Sequence, residues 1–358
     1  VSDVIAAKDG RLGRLTLNRP AALHALSTQM CADMIEALLA WRADPQVSLI
    51  VIDHANGTRG FCAGGDIRML AESGRADGRE ARAFFFTEYR LNHLLHTYEK
   101  PVLTVMDGVT MGGGVGISVH GPYRIATDRT NFAMPETGIG LFPDVGGGWF
   151  LPRVADEIGV WLALTGVRFR GADCLAAGVA THYVEAAKVA DLIRELAQAD
   201  PEASDPVGRI LERFQSDPGS AIELTPETRE RISDHFAHDR VEDIVAALDA
   251  DGSDWSLAQL ATLRTKSPQT LKVALRQIRT GARLTSFAEN MRMEYRIASR
   301  VVRRSDFLEG VRAVIVEKDN APRWSPSTLD GVTGAMLDEI FAPLPPGEEW
   351  TPISLDAT

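Results

Sequence analysis

The sequence predicts an α/β protein with a helical C-terminal region. Short strand-like segments alternate with amphipathic helical ones over about the first 135 residues, strand signals fade into helix beyond Ala155, and glycines cluster where the strands end.

The first strand segment is 12–17 (LGRLTL), followed by 49–52 (LIVI), 102–106 (VLTVM) and 123–126 (YRIA). Each is short, β-branched or alternating, and bounded by Asn, Asp, Gly or Pro, as strands and their turns are. Between the first two, Ser27 is a natural N-cap for a helix in which Met30, Met34, Ile35, Leu38 and Trp41 recur at 3.6-residue spacing. A second amphipathic helix is expected over 79–98, with Phe84, Phe85, Leu91, Leu94 and Leu95 as its apolar stripe. The stretch 199–226 carries Pro201, Pro206, Pro218 and Pro226 among polar residues and reads as a linker with short helices. Beyond it, 239–248, 256–263, 268–279 and 287–303 read as helices, and the proline-rich tail after Phe341 is expected to pack loosely. The division expected is 1–200 for the core carrying the site and 201–358 for the helical region and tail.

The chain has 358 residues and a net charge of −11, so nucleic acid, which needs a basic face, is an improbable partner. Nothing approaches the roughly 18 consecutive apolar residues of a bilayer span, and the opening residues carry no basic-then-apolar leader, so a cytoplasmic protein is expected. Three scattered cysteines, Cys31, Cys62 and Cys174, suggest neither a disulfide framework nor a thiolate metal site.

The chemistry is expected among the 31 glycines. One cluster, FCAGGDIR (61–68), follows the second strand, and another, MGGGVG (111–116), follows the third. Glycines at such turns let a ligand approach the backbone and leave N–H groups aimed at an anionic oxygen. Two adjacent turns meet the physical requirement of an oxyanion hole. Nucleotide-binding and nucleophile-elbow patterns fail on spacing: Ile117 stands where a dinucleotide fingerprint needs its last glycine, and His120 closes a would-be G-x-S-x-G. The third cluster, FAMPETGIGLFPDVGGGWFLPR (132–153), sets two carboxylates, Glu136 and Asp144, in apolar surroundings that raise a carboxyl pKa toward neutrality. Taken alone, Asp144 could equally cap a helix starting at Val145, and Glu136 could satisfy backbone donors in a turn.

These three segments, with ALTGVRFRGAD (163–173), MEYRIA (293–298) and FLEGVRAVIVEKD (307–319), resemble the enoyl-CoA hydratase/isomerase, or crotonase, superfamily over about residues 4–326. The resemblance implies a crotonase-like spiral of ββα turns followed by helices. It also implies an acyl-CoA thioester as the partner, its carbonyl oxygen held by the N–H groups of Ala63 and Gly113. Hydratases of the family carry a glutamate where this chain has Gly116, and their second glutamate is matched by Glu136. Hydrolase-like members pair that glutamate with an aspartate matched by Asp144, and an acid in their F-x-x-E-Y-x-L-N segment is matched by Glu88.

The reaction expected is hydrolysis of a short 3-hydroxyacyl-CoA. Glu136 and Asp144 are the catalytic pair, Ala63 and Gly113 the oxyanion donors, and Glu88, Gly113, Glu136 and Asp144 the substrate contacts. Neither metal nor cofactor is expected, CoA being part of the substrate. The helical half leaves a homo-oligomer open. The rival readings are a hydratase or isomerase on the same fold, and an acyl-CoA-binding protein without catalysis.

Overall fold

The computed structural model describes residues 2–200 and 203–355; Pro201 lies outside them. They form two compact units, each assembled from separated stretches of chain. The sheet unit is drawn from within 1–65, 91–133 and 168–225, and the helical unit from 66–90, 134–167 and 226–358. These units cut across the expected boundary at residue 200, because the segments that leave the strands at 66–90 and 134–167 pack with the C-terminal helices.

In the sheet unit, β1 (Val4–Asp9) and β2 (Leu12–Leu17) form an antiparallel hairpin. Three successive strand pairs follow: β3 (Leu49–His54) with β4 (Gly60–Cys62), β5 (Val102–Met106) with β6 (Val109–Met111), and β7 (Tyr123–Ala126) with β8 (Asn131–Ala133). The first member of each pair joins a six-stranded sheet ordered β1-β2-β3-β5-β7-β9, which β9 (His182–Tyr183) completes. The second member joins a three-stranded parallel sheet ordered β4-β6-β8. Repetition of strand, strand and helix is the ββα spiral that the resemblance implied. Like strands stack in parallel, Val51 opposite Leu103 and Val105 opposite Ile125, and parallel strands buried on both faces read as unbroken apolar runs. Leu49, Val51, Leu103, Val105 and Ile125 share a core with Leu192, Ile193 and Leu196 of helix Val189–Ala197 and with Ile210 and Leu211 of helix Pro206–Phe214.

The helical unit is organised around Ile158–Thr165, whose eight residues are all buried. A helix apolar on every side belongs at the centre of a bundle, and Pro226–Phe236, Asp254–Arg264 and Pro268–Gly281 pack on it.

The tail is not loose, contrary to the sequence expectation. Trp350 is fully buried and donates its indole N–H to the Phe86 carbonyl at 3.2 Å. Both Glu349 carboxylate oxygens accept from the Arg296 Nε–H, Glu348 accepts from Arg82, and Arg90 donates to the Thr351 carbonyl. Proline-rich composition hid one large aromatic whose burial outweighs the ordering entropy of its neighbours. Trp350→Ala is therefore expected to cost about 3–5 kcal/mol of unfolding free energy, checked by urea denaturation.

Candidate active site

In the sheet unit the glycine turns fall at the ends of the paired strands β4 and β6. Gly64 holds φ = +114°, a conformation that side chains rarely adopt, and a Cβ built on it would lie 3.5 Å from the Met111 carbonyl oxygen and 3.8 Å from the Gly113 nitrogen. The two turns are thus neighbours. Gly114 allows the second close approach, since a Cβ there would come within 2.3 Å of the Cys62 carbonyl oxygen. Gly113 opens the short helix Gly113–Gly116, so its N–H has no acceptor within the helix. The Ala63 N–H is already engaged, donating to the Leu23 carbonyl at 3.0 Å. Gly116 is buried in the last helical position, and its carbonyl accepts from the Asn92 amide. No carboxylate stands at this position.

The helical unit contains Glu88, Glu136 and Asp144, all at least 95 % buried. Glu88 sits on the helix Arg79–His96, beside Tyr89. Glu136 opens the 3₁₀ turn Glu136–Ile139, which ends on Gly140 in the left-handed region. Asp144 follows in the loop before the short helix Gly147–Phe150. The capping alternative for Asp144 fails, because Gly146 is the N-cap and the Asp144 Oδ2 instead accepts the Tyr89 hydroxyl at 2.8 Å. Glu136 Oε2 and Glu88 Oε1 are buried with no hydrogen-bond partner among the described residues. An orphaned carboxylate oxygen is costly in a protein interior and suits an atom that waits for substrate or water.

A fourth carboxylate was not singled out from the sequence. Glu294, fully buried on helix Phe287–Val301, accepts the N–H of Gly146 and that of Gly148, each at 2.8 Å. Its signal was present: Phe287, Asn290, Met291, Glu294, Ile297 and Val301 recur on one helix face, so an acid occupies a core position. Tyr89 was likewise unassigned, and only its packing beside Asp144 reveals a role.

No Lys or Arg ion-pairs with any of the four acids among the described residues, and burial sets their protonation. It pushes the Asp144 carboxyl up to about 7, while the Tyr89 hydrogen bond pulls the other way. Glu136 is raised well above the ordinary carboxylate range, first by burial and then by the Asp144 charge. Glu88 is raised by burial and by the charges of Asp144 and Glu294. Burial also pushes Glu294 up to about 8, against the backbone donors that favour its charged form. Such a cluster can give and take protons near neutrality. Between Asp144 and Gly146, Val145 is held at φ = +52°, a strained state for a β-branched residue costing about 1–3 kcal/mol.

The structure thus brings Glu88, Glu136 and Asp144 into the helical unit, and Ala63 and Gly113 into the sheet unit. No group of three His, Cys, Asp or Glu able to hold a metal ion occurs among the described residues. His235 lies near Asp251, and Asp239 pairs with Arg279. No described helix is long and apolar enough to cross a membrane.

Residues 12–341 match the family described as "Enoyl-CoA hydratase/isomerase". The chain is 45 % identical over 346 residues to "3-hydroxyisobutyryl-CoA hydrolase, mitochondrial" of Danio rerio, covering 96 % of this chain and 90 % of that protein. The Gallus gallus protein of the same name is 44 % identical, with 96 % and 89 % covered. A solved structure described as a carnitinyl-CoA dehydratase from Mycobacterium thermoresistibile superposes with a TM-score of 0.90 at 40 % identity, covering 98 % of this chain and 99 % of that one.

Proposed function

The chain belongs to the enoyl-CoA hydratase/isomerase family, and from that premise we propose that it hydrolyses the thioester of 3-hydroxyisobutyryl-CoA, or of a similar short 3-hydroxyacyl-CoA, to the hydroxy acid and free CoA. The observation that carries the reading is the buried group Glu88, Glu136 and Asp144, with Gly116 where a hydratase carries its other glutamate.

Attack on the thioester carbon moves negative charge onto the carbonyl oxygen, and donors already aimed there lower the barrier. Gly113 supplies one N–H. Ala63 enters as a donor shared between the Leu23 carbonyl and the thioester oxygen. Glu136, in the ionised form that its raised carboxyl gives up a proton to reach, acts on the carbon, either by taking a proton from water or by direct attack through its unpartnered oxygen. The C–S bond then breaks and CoA leaves as thiolate; on the direct route water next cleaves the Glu136 anhydride, releasing the hydroxy acid and restoring the carboxylate. Asp144, kept near neutrality by burial, exchanges the proton and with Glu88 accepts a hydrogen bond from the substrate 3-hydroxyl. A carboxylate left unpaired by an analogue lacking that hydroxyl penalises it strongly.

The partner in this reading is the acyl-CoA, and the route proposed for it is valine degradation. The vertebrate relatives are named mitochondrial.

The test is release of CoA thiol, followed with a thiol reagent, from 3-hydroxyisobutyryl-CoA, with methacrylyl-CoA and crotonyl-CoA in parallel and double-bond absorbance recorded. Thiol release confined to the hydroxyacyl substrate is the expected result. Loss of double-bond absorbance without thiol would make the protein a hydratase.

A further inference from the structure

We propose that Glu294 is a positioning residue for this hydrolysis, fixing Asp144 through the backbone on either side of it; the proposal rests on the hydrolase reading above. Glu294 lies on a helix that contributes no residue to the proposed chemistry. Its carboxylate is nonetheless fully buried and spans the loop next to Asp144, Oε2 accepting from Gly146 N–H and Oε1 from Gly148 N–H. Two amides complete the clamp. Asn290 donates to Oε1 at 2.9 Å, and Gln277 donates both to Oε1 at 3.1 Å and to the Pro143 carbonyl at 2.7 Å. The backbone is thus gripped at Pro143 before Asp144 and at Gly146 and Gly148 after it.

Two details show that the grip is built at a cost. The carbonyl oxygens of Asn290 and Gln277 are buried without partners, so both amides give up acceptor satisfaction to present their NH₂ groups. The backbone between the gripped points includes Val145 at φ = +52°. Such a conformation persists only where its surroundings over-determine it. Tyr89 then fixes the carboxylate itself through its hydroxyl.

A four-donor grip needs an acceptor with several lone pairs on two oxygens, which a carboxylate has and an amide lacks. Glu294→Gln keeps the volume and turns an NH₂ toward donors. Misplacing a reacting group by about 1 Å costs on the order of 10²-fold, so kcat for thiol release is expected to fall about 10²-fold with KM within about twofold. A merely structural Glu294 would lower Tm and leave kcat at the parent value, and that result overturns the proposal.

If Glu294→Gln does not fold, Gln277→Leu tests the same grip, leaving Glu294 in place while removing the donors to it and to Pro143. A tenfold lower kcat is expected, and parent kcat overturns the proposal. If the unaltered protein releases no thiol from any 3-hydroxyacyl-CoA, the hydrolase reading fails by itself. The clamp is then read from the resonance of the ¹³C-labelled Asp144 carboxyl in the unaltered protein and Glu294→Gln: a shifted or broadened signal in the variant, from a carboxyl no longer held in one place, supports it, and coincident signals overturn it.

Discussion

Glu136→Gln is expected to lower kcat for CoA release from 3-hydroxyisobutyryl-CoA by about 10³-fold, with KM within a few-fold of the parent. The substitution keeps the side chain's size in a fully enclosed position, so the loss reports chemistry. Removing a positioned base costs about 10²–10⁴-fold, and a residue that acts only in the transition state lowers kcat and kcat/KM together. Full turnover by this variant would remove Glu136 from the mechanism. In the unaltered protein, rapid mixing separates the two routes left for this glutamate. A mixed anhydride that hydrolyses more slowly than it forms gives a burst of one thiol per active site before the hydroxy acid appears, whereas direct attack by water releases both in step.

Stability should fall as pH rises from about 6.5 to 8, the reverse of what surface carboxylates produce. The folded protein holds Asp144 at about 7 and Glu294 at about 8, with Glu88 and Glu136 also raised. Unfolded, these groups titrate near 4. Within the window the native state therefore binds protons that the unfolded state does not, and the slope of unfolding free energy with pH is negative. Each group protonated only in the native state removes about 1.4 kcal/mol per pH unit, several kcal/mol for the cluster. Below about 6.5 the sign reverses in part, because burial lowers His24 to about 4 and also lowers His54, His93 and His182. Those groups are neutral when folded and must charge on unfolding, so they favour higher pH. The two sets offset each other below about 6.5, so a shallow profile there and a steeper fall above it are expected in chemical denaturation. Glu136→Gln should flatten the alkaline slope, and an unchanged slope would show that Glu136 is charged in the native protein.

What could be read from the residues followed the physics of each signal. The strands β2, β3, β5 and β7 were legible because four or more apolar or alternating residues make a period visible. The strands β4, β6 and β8 span three residues each, too few for any period. β1 was missed because five of its six residues are exposed. Helix Pro206–Phe214 is one of the short helices expected within 199–226, and Asp205 as N-cap with Pro206 at its first position are the signals that start it. At the site, Glu136 and Asp144 stood out as acids in glycine-rich apolar sequence, and Glu88 through the family resemblance. Glu294 lies 150 residues beyond Asp144, and its role depends on two backbone N–H groups that a sequence does not display. The engaged Ala63 N–H is similar, since its acceptor Leu23 is fixed only by the fold.

The buried Trp350 also bears on how the chain is made. Synthesis delivers helix Arg79–His96 first, and the indole that donates to its Phe86 carbonyl follows only 264 residues later. Domains that fold as units can do so during translation when their contacts are local, and long-range closure delays folding. The sheet unit has all its strands by Tyr183. The helical unit, by contrast, waits for Trp350, leaving the segment that carries Glu88 without that contact until the residues between them have been added.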